Sequence, residues 1–194
     1  MAQPRTSTLA RQVGRRVQAL RADRGISLSE LARGANLGKA TLSAVEAGTR
    51  NATLETLYAI AARLDVPLAA LLAPPTPENR TTVRGTAVTA QLLEVFADHD
   101  ATTELYRLTI RPGATQTSPA HPSGVVEHLT VFSGTALVGP ADTPLSVAEG
   151  EHVRFASDVV HIYAALDGEV RASLVIRHPT RHGPGRTASG PHGL

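Results

Sequence analysis

The sequence predicts an α + β chain of two domains, a bundle of five helices followed by an all-β domain. Three observations carry this. The spacing of apolar residues changes from helical to alternating near residue 80. At the same place residues 74–80, Pro-Pro-Thr-Pro-Glu-Asn-Arg, hold three prolines in seven positions, which cannot continue a helix and read as a stiff linker. The formal charge of +2 also divides there: residues 1–73 hold ten basic and five acidic residues, net +5, and residues 74–194 nine arginines against twelve acids, net −3. The boundaries that follow are a flexible N-terminus at 1–8, a helical domain at 9–73, a linker at 74–83, a β domain at 84–178 and a disordered tail at 179–194.

In the helical domain, Leu9, Val13, Val17 and Leu20 form one stripe, with Arg11, Arg15, Arg16 and Arg21 mostly off it. Ser27 followed three residues later by Glu30 is a capping box that starts a second helix. Gly34 and then Asn36-Leu37-Gly38 end it in a turn. A third helix runs from Lys39 to Ala47 and stops at Gly48, which suits a left-handed position. A fourth carries Leu54, Leu57, Ile60, Ala61 and Leu64 on one face, and a fifth begins at Pro67 and buries Leu68, Leu71 and Leu72. Beyond the linker, short β-branched runs at 104–110, 125–132, 134–138, 151–155, 159–165 and 169–177 alternate with Pro, Gly, Asp or Ser turns. Many short strands without helices between them imply a sandwich or barrel.

Composition excludes several classes of function. With 194 residues, 42% of them hydrophobic, the chain can bury ordinary cores and is neither fibrous nor largely disordered. It has no cysteine, so disulfide frameworks, thiol nucleophiles and iron–sulfur clusters are out, and His, Asp and Glu remain as the strong metal ligands. No apolar run approaches the ~18 residues of a membrane span, and a soluble, cytoplasmic protein is expected.

Two short helices joined by a tight turn and framed by two others form a helix-turn-helix arrangement. With Leu42 and Val45 pointing inward at ~100° per residue, the outer face of the third helix centres on Ala40 and Ala47, with Ser43 and Ala44 beside them and Lys39 and Thr41 on the shoulders. This face lacks the Arg, Gln or Asn that read bases bidentately, so direct readout of double-stranded DNA should be modest. The bland alternative is a helical bundle whose arginines are a solvated face. The runs Gly25-Ile-Ser-Leu-Ser-Glu-Leu-Ala32, Lys39-Ala-Thr-Leu-Ser-Ala-Val-Glu-Ala-Gly48 and Asn51-Ala-Thr-Leu-Glu-Thr-Leu57 resemble the Xre-type, repressor-like helix-turn-helix family over residues 9–72. The resemblance implies that the third helix enters the major groove and that Ser29, Arg50 and Asn51 meet phosphates.

In the β domain, His121, Glu127, Gly134, Gly150 and His161 have a spacing that resembles the cupin superfamily, a small jelly-roll barrel, over residues 84–177. The second His of the family's first motif falls near Ser123 and is missing, and Ala156, Asp158 and Ala165 replace other signature positions. What survives, His121, Glu127 and His161, is a two-His, one-carboxylate set of the kind that binds Fe(II) or another divalent metal ion. Three readings stay open: a barrel that binds no metal, a structural or sensory metal ion, and a mononuclear-metal enzyme resembling the fosfomycin-forming epoxidase, which joins the same two modules. Strand phase suggests Arg107, Glu127, His161, Tyr163, Leu129 and Phe155 as inward residues, the first four as ligands for a small-molecule effector. His128 points away from Glu127, and His99, His152, His178, His182 and His192 read as solvated.

The expectation is thus a regulator whose helix-turn-helix binds DNA under control of an effector in the barrel. The family resemblance implies a homodimer through the barrels, placing two recognition helices ~34 Å apart. The acidic β domain should repel DNA and leave the contact to the helices.

Overall fold

A computed structural model describes residues 8–72 and 81–180. Four α-helices open it, α1 (Thr8–Asp23), α2 (Leu28–Gly34), α3 (Lys39–Glu46) and α4 (Leu54–Leu64). The expected fifth helix is a single 3-10 turn, Leu68–Leu71. It is too short to close α-helical hydrogen bonds, yet it buries Leu68, Leu71 and Leu72 as the sequence indicated. Ser27 and Glu30 form the reciprocal cap of α2, each side chain bonded to the other's backbone N–H. Thr53 caps α4 in the same sense through the Thr56 N–H.

Two features seat α3. Arg21 of α1 makes a bidentate salt bridge with Glu46 at 2.7 and 2.8 Å, so this arginine serves the fold. Gly14 of α1 lies so close to α3 that a Cβ there would stand 2.4 Å from the Val45 carbonyl oxygen. Past the helix, Gly48 has φ +66°, as its predicted left-handed position requires.

Ten strands follow, β1 (Thr82–Arg84), β2 (Val88–Ala97), β3 (Ala101–Ile110), β4 (Thr115–Ser118), β5 (Val126–Ser133), β6 (Ala136–Pro140), β7 (Leu145–Val147), β8 (His152–Ala156), β9 (His161–Ala165) and β10 (Val170–Pro179). They form two antiparallel sheets, one of six strands in the order β1-β2-β3-β10-β5-β8 and one of four in the order β4-β9-β6-β7. Inward residues of both sheets, among them Tyr106, Leu129, Val138 and Tyr163, join the helical core in one hydrophobic cluster, a cupin-like architecture. β2 escaped the sequence reading because Leu92 and Leu93 are adjacent. A register shift between Leu92 and Glu94 inserts an extra residue there and breaks the alternation.

The helical half packs directly on the sheets. The Glu55 carboxylate of α4 accepts the Thr86 N–H at 2.6 Å, and the buried Glu104 carboxylate of β3 accepts the Ala69 N–H at 2.5 Å. Tyr58 of α4 lies edge-on to His121 with ring centroids 4.8 Å apart. Among the described residues no helix is long and apolar enough to cross a membrane. Most of the expected termini at 1–8 and 179–194 and of the linker at 74–83 falls outside the described residues, but the bounds shift where they are described: Thr8 opens α1, Thr82 and Val83 belong to β1, and Pro179 still belongs to β10.

Candidate functional site

The inward face of the sheets gathers His121, Glu127 and His161. Glu127 comes from the middle of β5, His161 opens β9, and His121 follows β4 in a loop held by its own N–H donating to the Ser157 carbonyl at 2.9 Å. Their ligand atoms all lie within 4.8 Å of one another, and the three residues are 7%, 0% and 0% exposed. His121 Nε2 donates to Glu127 Oε1 at 2.9 Å, and the Tyr163 hydroxyl donates to the other carboxylate oxygen. Burial alone would push the Glu127 carboxyl up, but the facing His161 and the hydrogen bond from His121 outweigh it and hold the group well below the usual carboxylate range. Burial, then the same carboxylate, pushes the Tyr163 phenol well above its ordinary value.

His161 is oriented for a cation. Its Nδ1–H donates to the Val159 carbonyl at 2.8 Å, which leaves Nε2 as the atom facing Glu127 Oε1 at 3.4 Å without a hydrogen bond. A bare lone pair against a carboxylate is repulsive, so this geometry calls for a positive charge between the two, either a proton on Nε2 or a metal ion. Desolvation alone would lower the His161 pKa, but the Glu127 charge prevails and raises it.

The surroundings include residues that the sequence reading did not single out. Gln116 and Ser118 of β4 pair across to Tyr163 and His161, and both are fully buried. Gln116 Nε2, Ser118 Oγ and the Tyr106 hydroxyl have no hydrogen-bond partner among the described residues, in a protein interior where nearly all such groups are paired. Their burial at alternating strand positions is the only signal that could have found them. Leu129 and Phe155 are inward, as expected.

Arg107 corrects the expected effector set. It is exposed on the outer face of β3, because Tyr106, Leu108 and Ile110 take the buried phase of that strand. Of the four proposed effector ligands, Glu127, His161 and Tyr163 meet and Arg107 does not. His178 is likewise not solvated: it is 8% exposed, and its Nε2 stands 3.2 Å from Glu104 Oε2. His128 does face outward, 3.4 Å from His152, and His182 and His192 lie outside the described residues.

On α3, Leu42 and Val45 are buried at 0% and 1%, while Lys39, Ala40, Ser43 and Ala47 are exposed and Thr41 and Ala44 half-buried. Ser29 at the start of α2 and Arg50 and Asn51 after α3 are also exposed. The exposed face is therefore small, uncharged except for Lys39, and flanked by polar groups.

Comparison with known proteins places this arrangement. Residues 17–71 match the helix-turn-helix family HTH_3. The chain is 34% identical over 156 residues to the HTH-type transcriptional regulator SutR of Escherichia coli (strain K12), covering 80% of this chain and 88% of that protein. A crystal structure of an HTH_3 family transcriptional regulator from Vibrio cholerae superposes with a TM-score of 0.75 at 26% identity, over 89% of this chain and 98% of that one. The cupin domain of an Xre family regulator from Enterobacter cloacae aligns at 25% identity over 49% of this chain and all of that one, with a TM-score of 0.44. With a match of this identity along most of its length, the chain belongs to the Xre-type helix-turn-helix transcriptional regulators, DNA-binding proteins that here carry a cupin-like pair of sheets.

Proposed function

We propose that this protein is a cytoplasmic, effector-controlled regulator that reads DNA with α3. The observation that carries the DNA contact is the outer face of that helix. Ala40, Thr41, Ser43 and Ala44 offer close approach and thymine-methyl or hydroxyl contacts, Lys39 a hydrogen bond, and Ser29, Arg50 and Asn51 phosphate contacts on either side. In fluorescence anisotropy with duplex DNA from upstream of its own gene, Lys39→Ala and Arg50→Ala should each weaken binding several-fold, and Arg50→Ala should lower the salt slope by about one. Binding that ignores both salt and these substitutions would sink the reading.

For the sensor half we propose that the sheets close into a jelly-roll barrel and that His121, Glu127 and His161 hold a divalent metal ion. The residues fit it: two imidazoles and a carboxylate converge, and the Nδ1–H of His161 is tied to a carbonyl in the way that orients a ligating histidine. Such an ion supplies open coordination positions for an oxygen-bearing effector. Gln116, Ser118 and Tyr163 lie beside the triad and would bind the polar end of a small molecule. Tyr58 of α4 packs edge-on against His121, so an effector that moves His121 shifts the helical half. An epoxidase-like enzyme would use the same triad, but the 34% identity to a transcriptional regulator along most of the chain favours a sensor.

The proposed dimer is supported by the outer face of the four-stranded sheet. Thr115, Thr117, Leu137, Ser146 and Ile162 point outward there, and none is charged. Ile162→Arg should shift the sedimenting mass from two protomers to one, and a wild type sedimenting as one protomer at micromolar concentration would count against the dimer.

A further inference from the structure

The acidic balance of the β half conceals a basic face. Alternation along the six-stranded sheet puts Arg84, Arg107, Arg154, Arg171 and Arg177 on its outer side, all exposed, and strand pairing sets Arg107 opposite Gln91 and Arg84 opposite Thr89. Only Glu94 among the acids of these strands shares that side, and Glu169, in the turn before β10, stands 3.6 Å from Arg171. Arg84, Arg107 and Arg154 make no salt bridge among the described residues, and nothing within the sheet needs their charge. The remaining acids that give the half its net charge sit elsewhere, among them Glu149, Glu151 and Asp167 in loops and Glu104 and Glu127 in the interior.

The β1 end of this face adjoins the residues expected to hold DNA. A cleft of about 400 Å³ has Arg50 and Asn51 on one wall and Thr82 and Arg84 on the other. Arg84 therefore continues the line of Arg50 from the helical half onto the sheet, and Arg107 follows two strands further in and two residues along, roughly 12 Å away at the usual strand spacing and rise. A duplex carries about one negative charge per 1.7 Å of axis, so a span of that length faces several phosphates. A polyanion on the Arg50 side meets this flank next, and a second copy of the chain would meet it with like charge.

We propose that the Arg84 and Arg107 flank of the six-stranded sheet is a second DNA-binding surface, which takes the phosphate backbone of the duplex where it leaves the helix-turn-helix. The inference rests on the DNA-reading role of α3 and adds affinity without sequence information, since guanidinium–phosphate contacts position a duplex without specifying it. It also offsets the modest base readout of α3.

The test compares the full chain on two duplexes that share one upstream site, about 20 and about 40 base pairs long, with binding measured as a function of salt. Two phosphate contacts contribute close to two units of salt slope. The Arg84→Ala, Arg107→Ala double variant should lose about that much slope, and bind roughly tenfold more weakly at moderate salt, on the long duplex, with little change on the short one. The Arg84→Lys, Arg107→Lys variant should keep most of the wild-type slope, which a merely structural role for the arginines would not explain. Equal slopes for wild type and the alanine variant on the long duplex, with Arg50→Ala still weakening both duplexes, would overturn the proposal and leave the helix-turn-helix reading standing. If Arg50→Ala alters neither, the DNA-reading role fails and this surface falls with it.

Discussion

Replacing Glu127 by alanine is expected to cost about 3–5 kcal/mol of stability, the penalty for stripping one partner from a buried charge cluster. His121 loses its acceptor, His161 its counter-charge and the Tyr163 hydroxyl its partner, all within a dry interior. Metal uptake should vanish with it, read by elemental analysis of protein isolated from iron- or zinc-supplemented cultures. Full stability with retained metal would show that the triad is no site. The pH dependence separates proton from metal. The raised His161 pKa stabilises the metal-free fold at pH values below the ordinary imidazole value, and that contribution disappears as pH rises through the raised folded-state value. The depressed Glu127 pKa contributes above the usual carboxylate range and is lost only in strong acid. Metal-free protein should therefore melt lower as pH climbs past the imidazole range, whereas a divalent ion, which competes with the same proton, should raise the melting point most at that alkaline end.

Tyr58→Ala should cost a comparable amount, about 3–5 kcal/mol, because it empties an aromatic volume between α4 and the sheets. Burial, then the Glu127 and Glu104 carboxylates, push this phenol well above its usual pKa. A second effect distinguishes coupling from packing. Wild-type protein should change its DNA affinity when the triad is loaded with metal, and Tyr58→Leu, which keeps apolar volume, should lose that response while still binding DNA. A variant that melts as the wild type does and responds fully would place the link elsewhere.

Local chemistry made the helical half legible. A Ser–Glu cap at 27 and 30, two inward residues at 42 and 45 and a turn glycine at 48 each carry their own backbone reason, and the structure bears out all of them. The triad was legible because His121, Glu127 and His161 fall at the family's spacing, and strand phase carries Glu127 and His161 inward. The misses have non-local causes. Arg107 was assigned the wrong face because Glu104, a charged residue, takes a buried place in the same strand and masks its phase. Its burial depends on the Ala69 N–H and on His178, which come from 35 and 74 residues away in sequence. The partnership of Tyr58 with His121 spans the linker, and no periodicity within either half contains it.

The shared cluster has a consequence for modularity. The Pro-rich stretch suggests two parts that could be exchanged between proteins, but Glu55, Tyr58 and Ala69 are keyed to Thr86, His121 and Glu104. A helical half moved onto a foreign sensor would carry a bare aromatic and leave behind a carboxylate with one partner fewer. Recombination between such regulators is thus constrained to exchange the lock with its key, and the linker marks where the chain crosses the seam without marking where the protein can be cut.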